Sequence, residues 1–257
     1  YAESAFETWS KISSIKRGEI LFYFIDLIKQ NKDELININA LETGKSINSS
    51  KGEYEACISV ANYFASEGMR LYSNNLPSSN SLKIVNTKRE PLGVVALIVP
   101  ANTAMANIFW KLFPALITGN GVILKASEDA PMLANFIGDI ASKVNFPKGL
   151  ISVIQGDSSI SNYLVHSKQI KLVSFTGSSL IGKKVLQACA TNFTHCSLEL
   201  GGKNAMIVMD DADFDNAIKW SLLSAFSNAG QRCASASRLL IHENIYDKFK
   251  NTLVKET

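Results

Sequence analysis

The sequence predicts an α/β fold in which a parallel sheet, covered by helices on both faces, follows an amino-terminal helical segment. Three observations predict it. Downstream of Gly93, short and nearly continuous apolar runs recur, each followed by a turn and a segment of helical period. From Ala2 to about Tyr72, apolar residues fall at spacings of three and four, as in Ile20, Phe24, Leu27 and Ile28, and later Ile58, Ala61 and Phe64. With 257 residues and 46% apolar side chains, the chain suffices for one large domain or two small ones with a buried core.

Taken in order, the helical segment to Tyr72 is expected as scaffold. Asn74 to Ser81, NNLPSSNS, is a turn-rich break. Leu82 to Lys88 and Gly93 to Val99 are expected as a hairpin-like pair of strands about Glu90-Pro91, so that the segment near 82–99 leads into the core. Strands of one sheet are expected at Val94 to Val99, Gly121 to Lys125, Ile151 to Ile154, Lys171 to Phe175, Ser197 to Leu200 and Ala205 to Met209. Helices are expected near Met105 to Leu116, Pro131 to Val144, Ser159 to His166, Ser178 to Ala190 and Phe214 to Phe226. Open parallel sheets collect ligands at the carboxyl ends of their strands, so chemistry is sought there.

Each strand end admits a structural and a functional reading. Asn102, in the turn Pro100-Ala101-Asn102-Thr103, serves either local backbone hydrogen bonding or as a fixed neutral donor to an oxyanion. Lys125 and Glu128 are a snorkelling edge residue and a favourable helix-start charge, or together a grip on a ribose. A carboxylate at such a ribose would repel a 2′-phosphate. Thr176 to Gly182 is a GxxxxG between strand and helix, either a tight turn or a cradle for a pyrophosphate. It is neither GxGxxG nor a P-loop. Glu199 stands before Gly201-Gly202, and Cys233 follows an expected helix stop in Gly230-Gln231-Arg232-Cys233. A strand and a helix join the two, so base and nucleophile can face one cavity. Arg232 is a solvated charge or packing clamp, or an attraction for an anionic substrate.

Composition excludes several classes. The balance of 26 Lys+Arg against 23 Asp+Glu is spread along the chain without the basic cluster and interleaved aromatics of a nucleic-acid groove. The most apolar run, Leu92 to Pro100, is strand-length, so no membrane association is expected. YAESAFETWSK lacks the features of a signal peptide, and a cytoplasmic location is expected. Cys57, Cys189, Cys196 and Cys233 have no CxxC spacing, and His166, His195 and His242 are isolated, so no metal site or disulfide frame is indicated.

The motifs PxN, KxxE, FTGSxxxG, ELGGK and GQxC occur here in the order and approximate spacing of the aldehyde dehydrogenase superfamily, which the sequence resembles over nearly all its length. Glu42-Thr43-Gly44-Lys45 and the Arg89 to Val94 strand entry extend the resemblance. It implies a Rossmann-like fold and oxidation of an aldehyde to a carboxylic acid with NAD in preference to NADP. Cys233 would be the nucleophile, Asn102 with the Cys233 N–H the oxyanion donor, and Glu199 the base that activates water for thioester hydrolysis. NAD would lie against Val99, Pro100 and Ala101, with Lys125, Ser127 and Glu128 at the adenosine ribose and Gly156 nearby. Gly177, Ser178, Ile181 and Gly182 would follow the pyrophosphate, and Phe175, Thr176, Leu200 and Gly201 would line the nicotinamide side.

Two departures qualify the resemblance. Where the family commonly has Trp-Asn-Phe-Pro, this chain has Ala101-Asn102-Thr103-Ala104, which alters packing beside the cofactor and the substrate tunnel. The chain is also far shorter than family members. Residues 1–232 are therefore expected as the NAD-binding domain and 233–257 as the start of an incomplete catalytic domain, inactive alone. The full-length enzyme is expected to act on a small-molecule aldehyde as a homodimer or homotetramer. A non-catalytic nucleotide-binding or interaction module is the competing reading.

Overall fold

Four helices form the amino-terminal segment: α1 (Ala2–Trp9), α2 (Ser14–Gln30), α3 (Lys32–Thr43) and α4 (Ile47–Ser66). Ser13 caps α2 by accepting from the Lys16 N–H, and Ser46 caps α4 by accepting from the Ser49 N–H. The helical spacing buries Leu21, Phe24 and Ile28 on α2 and Tyr54, Cys57 and Ala61 on α4. The computed structural model describes every residue from Tyr1 to Thr257.

A short antiparallel pair follows, β1 (Asn75–Leu76) with β2 (Val85–Asn86). The chain then alternates through β3 (Val94–Ile98), α5 (Ala104–Ile117), β4 (Gly121–Lys125), α6 (Pro131–Ser142), β5 (Ile151–Ile154), α7 (Ser158–His166), β6 (Ile170–Gly177), α8 (Ser179–Thr191) and β7 (His195–Leu200). These strands make a five-stranded sheet in the order β5-β4-β3-β6-β7. β3 runs parallel to both β4 and β6, and β4 runs parallel to β5.

β3 explains why the strands read as continuous apolar runs. Val95, Leu97 and Val99 pack into a core shared with α2, α4, α5 and α6, whereas Val94, Ala96 and Ile98 pack into a second core with α7 and α8. Both faces of the sheet are covered, and alternation therefore disappears from the sequence. The amino-terminal helices belong to the first core: Trp9 Nε1 donates to Leu116 O at 2.8 Å, and Phe24 stacks on Phe113 with ring centroids 5.7 Å apart.

By contact the chain divides into two compact units, Tyr1–Glu199 and Leu200–Thr257. The second unit holds β8 (Ala205–Val208), α9 (Phe214–Phe226), β9 (Arg238–Ile241) and α10 (Tyr246–Glu256). β8 and β9 are parallel, and Val208, Ile218 and Phe249 form the centre of their own small core.

Two expectations require correction. Leu82 to Lys88 does not form a hairpin with Gly93 to Val99: both edges of β3 are occupied by β4 and β6, and β2 pairs with β1 instead. Ala205 to Val208 is a strand but not part of the main sheet, because β9 takes it as a partner. The compact division falls after Glu199, since β8 and α9 share their core with β9 and α10. No helix is long and apolar enough to cross a membrane.

Candidate functional site

Because β3 to β6 are mutually parallel, their carboxyl ends share one edge of the sheet. The strand order reverses at β3, with β4 and β5 to one side and β6 and β7 to the other. A crevice at such a reversal is the usual ligand site of an open α/β sheet. The sequence-selected turns of the first unit lie along this edge.

At the end of β3, Val99 is buried and donates its N–H to Lys125 O at 3.1 Å, while Pro100, Ala101 and Asn102 are half-buried. At the end of β4, Lys125 is only 4% exposed. Burial lowers its pKa, opposed in part by the carboxylates of Glu128 and Asp157. Its ammonium has three donors and one carbonyl acceptor in reach, Ala126 O at 2.6 Å. Ser127 is half-buried and Glu128 exposed. Gly156, with φ of 138°, follows β5 and leads into Asp157, whose carboxylate caps α7.

At the end of β6, Phe175 is buried and its ring lies against the backbone of Gly177. A Cβ on Gly177 would stand 2.5 Å from Phe175 Cζ, so only glycine fits while the ring keeps that position. Thr176 Oγ1 is buried without a hydrogen-bond partner. Ser178 caps α8 by accepting from the Ile181 N–H at 3.4 Å, and the buried Gly182 donates its N–H to Ser178 O at 2.8 Å. The orphaned Thr176 hydroxyl and the under-used Lys125 ammonium are buried polar groups with unmet capacity, which fits a polar ligand at this edge.

Sequence reasoning missed Lys111. It sits on α5 in the apolar run Asn107 to Phe113, is 9% exposed, and donates to Ser174 Oγ at 2.7 Å. Burial brings its pKa down to about 8, while the charge of Glu199 pulls the other way. Glu199 itself is exposed at the end of β7, followed by the exposed Leu200 and Gly201. A lysine within NIFWKLF was visible as an anomaly; its pairing with Ser174 was not.

In the second unit, Cys233 lies on an exposed turn closed by the Ser235 N–H donating to Arg232 O at 3.1 Å. Asn204, also missed, holds that turn: its Nδ2 donates to Cys233 O at 2.6 Å and to Ser235 O at 3.4 Å. Asn228 and Ala229, both at φ of 55°, and Gly230, at 72°, bring the chain to the turn through left-handed backbone. That conformation costs about 1–2 kcal/mol per non-glycine residue, the kind of strain that clusters at functional turns. Arg232 donates to Ser227 Oγ at 3.4 Å, which ties it back to its own turn. Cys57 and Cys189 are buried, and burial raises their pKa values, that of Cys189 to about 12; Cys196 is half-buried and also raised. Cys233 is the exposed thiol.

Sheet, strand reversal and strand-end turns together define a Rossmann-like α/β protein. The profile of the aldehyde dehydrogenase family matches residues 1–257. Mitochondrial succinate-semialdehyde dehydrogenase of Oryza sativa is 38% identical over 255 residues, covering 99% of this chain and 48% of the relative. D-glyceraldehyde dehydrogenase (NADP+) of Thermoplasma acidophilum is 36% identical, covering 99% of this chain and 52% of the relative. Betaine aldehyde dehydrogenase of Staphylococcus aureus, solved in complex with NAD+, superposes with a TM-score of 0.96 at 34% identity, covering 99% of this chain and 51% of that one. The chain belongs to the aldehyde dehydrogenase family. It spans about half the length of the curated relatives it matches.

Proposed function

We propose that this chain supplies the cofactor-binding part and the nucleophile turn of a hydrolytic aldehyde dehydrogenase, and that turnover requires the further length its relatives have. The observation that supports this most directly is the set of polar turns along one sheet edge, at the strand-order reversal, in a chain of this family. The first unit would hold the cofactor: Lys125 and Glu128 at the adenosine ribose, Gly177 to Gly182 along the pyrophosphate, and Phe175 and Thr176 beside the nicotinamide. The bound dinucleotide supplies a hydride acceptor. An exposed carboxylate at Glu128 favours NAD over NADP, because a 2′-phosphate would meet like charge.

Cys233, as thiolate, adds to the aldehyde carbon to give a thiohemiacetal, and the Asn102 amide with the Cys233 N–H stabilises the oxyanion. The thiohemiacetal oxyanion would give up its hydride to the dinucleotide, leaving a thioester, and Glu199 takes a proton from the water that hydrolyses it, releasing a carboxylic acid and the Cys233 thiol. The second unit, whose core surrounds β8 and β9, would be the start of the catalytic domain. The whole enzyme is proposed as a cytoplasmic homodimer or homotetramer acting on a small aldehyde.

The test uses the protein at the length of its relatives and a panel of aldehydes, with NAD, NADP and coenzyme A varied. NADH should form with at least one aldehyde, more efficiently than NADPH and without coenzyme A, and Cys233→Ala should abolish it. An unimpaired Cys233→Ala enzyme would overturn the assignment; a requirement for coenzyme A would replace hydrolysis by acyl transfer.

A further inference from the structure

The ETGK segment contributes a residue to the Asn102 turn that the proposed mechanism does not use. Lys45 and Glu53 form an ion pair whose side chains are 2% and 9% exposed. A buried pair of this kind loses much of its attraction to desolvation, so its presence is poorly explained by stability alone. What its atoms touch is more informative. Lys45 Nζ also donates to the backbone O of Asn102 at 3.3 Å, and Glu53 Oε1 accepts from the backbone N–H of Ala106 at 2.9 Å. One ion pair thereby holds the chain at Asn102 and again four residues later, in the first turn of α5. Thr103, the N-cap of α5, makes no side-chain capping bond there, so the pair does what local chemistry does not.

The pair is itself fixed. Asn39 Nδ2 donates to Glu53 Oε2 at 3.1 Å and to Ser50 Oγ at 3.0 Å, and Ser50 Oγ donates to Ile36 O at 2.8 Å. Asn39 and Ser50 are fully buried. The Asn102 turn is thus referenced to α3 and α4, two rigid helices outside the sheet.

We propose that the buried Lys45–Glu53 pair is a positioning device that sets the Asn102 turn for oxyanion stabilisation, a proposal that rests on Asn102 acting as the oxyanion donor. An amide must be aimed at where charge develops, and misplacement of about 1 Å can cost on the order of a hundredfold in rate. Lys45 and Glu53 act through Asn102 and touch no reacting atom.

Two reagents separate positioning from general loosening in the protein at the length of its relatives. Acylation of Cys233 by p-nitrophenyl acetate passes through an oxyanion; alkylation of Cys233 by iodoacetamide does not. Lys45→Met should slow p-nitrophenol release about tenfold or more while the alkylation rate stays within about twofold. Asn102→Ala should slow release more, about a hundredfold, and adding Lys45→Met to Asn102→Ala should cost little further. Lys45→Arg, which keeps cation and donor, should recover most of the rate. Equal slowing of both reagents by Lys45→Met, or an undiminished Lys45→Met penalty in the Asn102→Ala background, would overturn the proposal while leaving Asn102 its role. An Asn102→Ala protein with undiminished acylation would remove the oxyanion role itself, and the positioning role with it. Should Lys45→Met fail to fold, Lys45→Gln and Glu53→Gln are judged by the same ratio of rates.

Discussion

Lys111 is a lysine buried on an otherwise apolar stretch of helix. Burial among the apolar side chains of α5 brings its pKa from 10.5 to about 8, although Glu199 favours its charge. Above pH 10.5 the lysine is neutral folded or unfolded and nothing is lost. As pH falls from 10.5 to 8 the unfolded chain takes up the proton first, so stability falls; below 8 the loss is complete, at about 3 kcal/mol. Urea unfolding should therefore show stability rising from pH 8 to 10, and Lys111→Met should flatten that rise. An identical rise in both proteins would show that Lys111 titrates normally. At this scale the sequence singles out residues that belong to a short motif, as Asn102, Glu199 and Cys233 do. Lys111 and Asn204 escaped because their partners, Ser174 and the Cys233 turn, are joined to them only by the fold.

The helices after the sheet strands are capped in two ways. α7, α8 and α9 cap themselves through Asp157, Ser178 and Asp213, each adjoining its helix and readable from sequence. α5 and α6 begin after Thr103 and Ala130, neither of which makes a side-chain cap bond. Carboxylates of the amino-terminal helices serve instead: Glu53 at α5, and Glu42 at α6, where it accepts from the Met132 and Leu133 N–H groups at 2.5 and 2.9 Å. The amino-terminal segment thus fixes the helices that follow the Asn102 and Lys125–Glu128 turns, which is more than scaffold. Glu42→Ala should destabilise the first unit by about 1–2 kcal/mol and speed hydrogen exchange at Met132 and Leu133. Unchanged protection at those amides would contradict the capping role. Such caps were not legible because Glu42 is 90 positions from Met132. The hairpin expected near 82–99 failed for a related reason: sequence shows that Gly93 to Val99 is a strand, but not that β4 and β6 occupy both its edges.

At the scale of the whole molecule, the βα alternation was legible from Gly93 to Phe226, yet it did not reveal where one compact unit gives way to the next. β8 and α9 continue the rhythm of the first unit but pack with β9 and α10 in the second. Periodicity reports which side of an element is buried, not which neighbour buries it, and β9 and α10 lay beyond the last motif. In the proposed chemistry Cys233 carries an acyl group which Glu199 removes. The most direct measurement is the intact mass and peptide map of a Glu199→Gln protein, at the length of its relatives, incubated with NAD and an aldehyde that the unsubstituted enzyme oxidises. The thioester should accumulate, with the acyl mass on the peptide containing Cys233. A protein that turns over normally without it, or carries the acyl group elsewhere, would rule out these roles for Cys233 and Glu199.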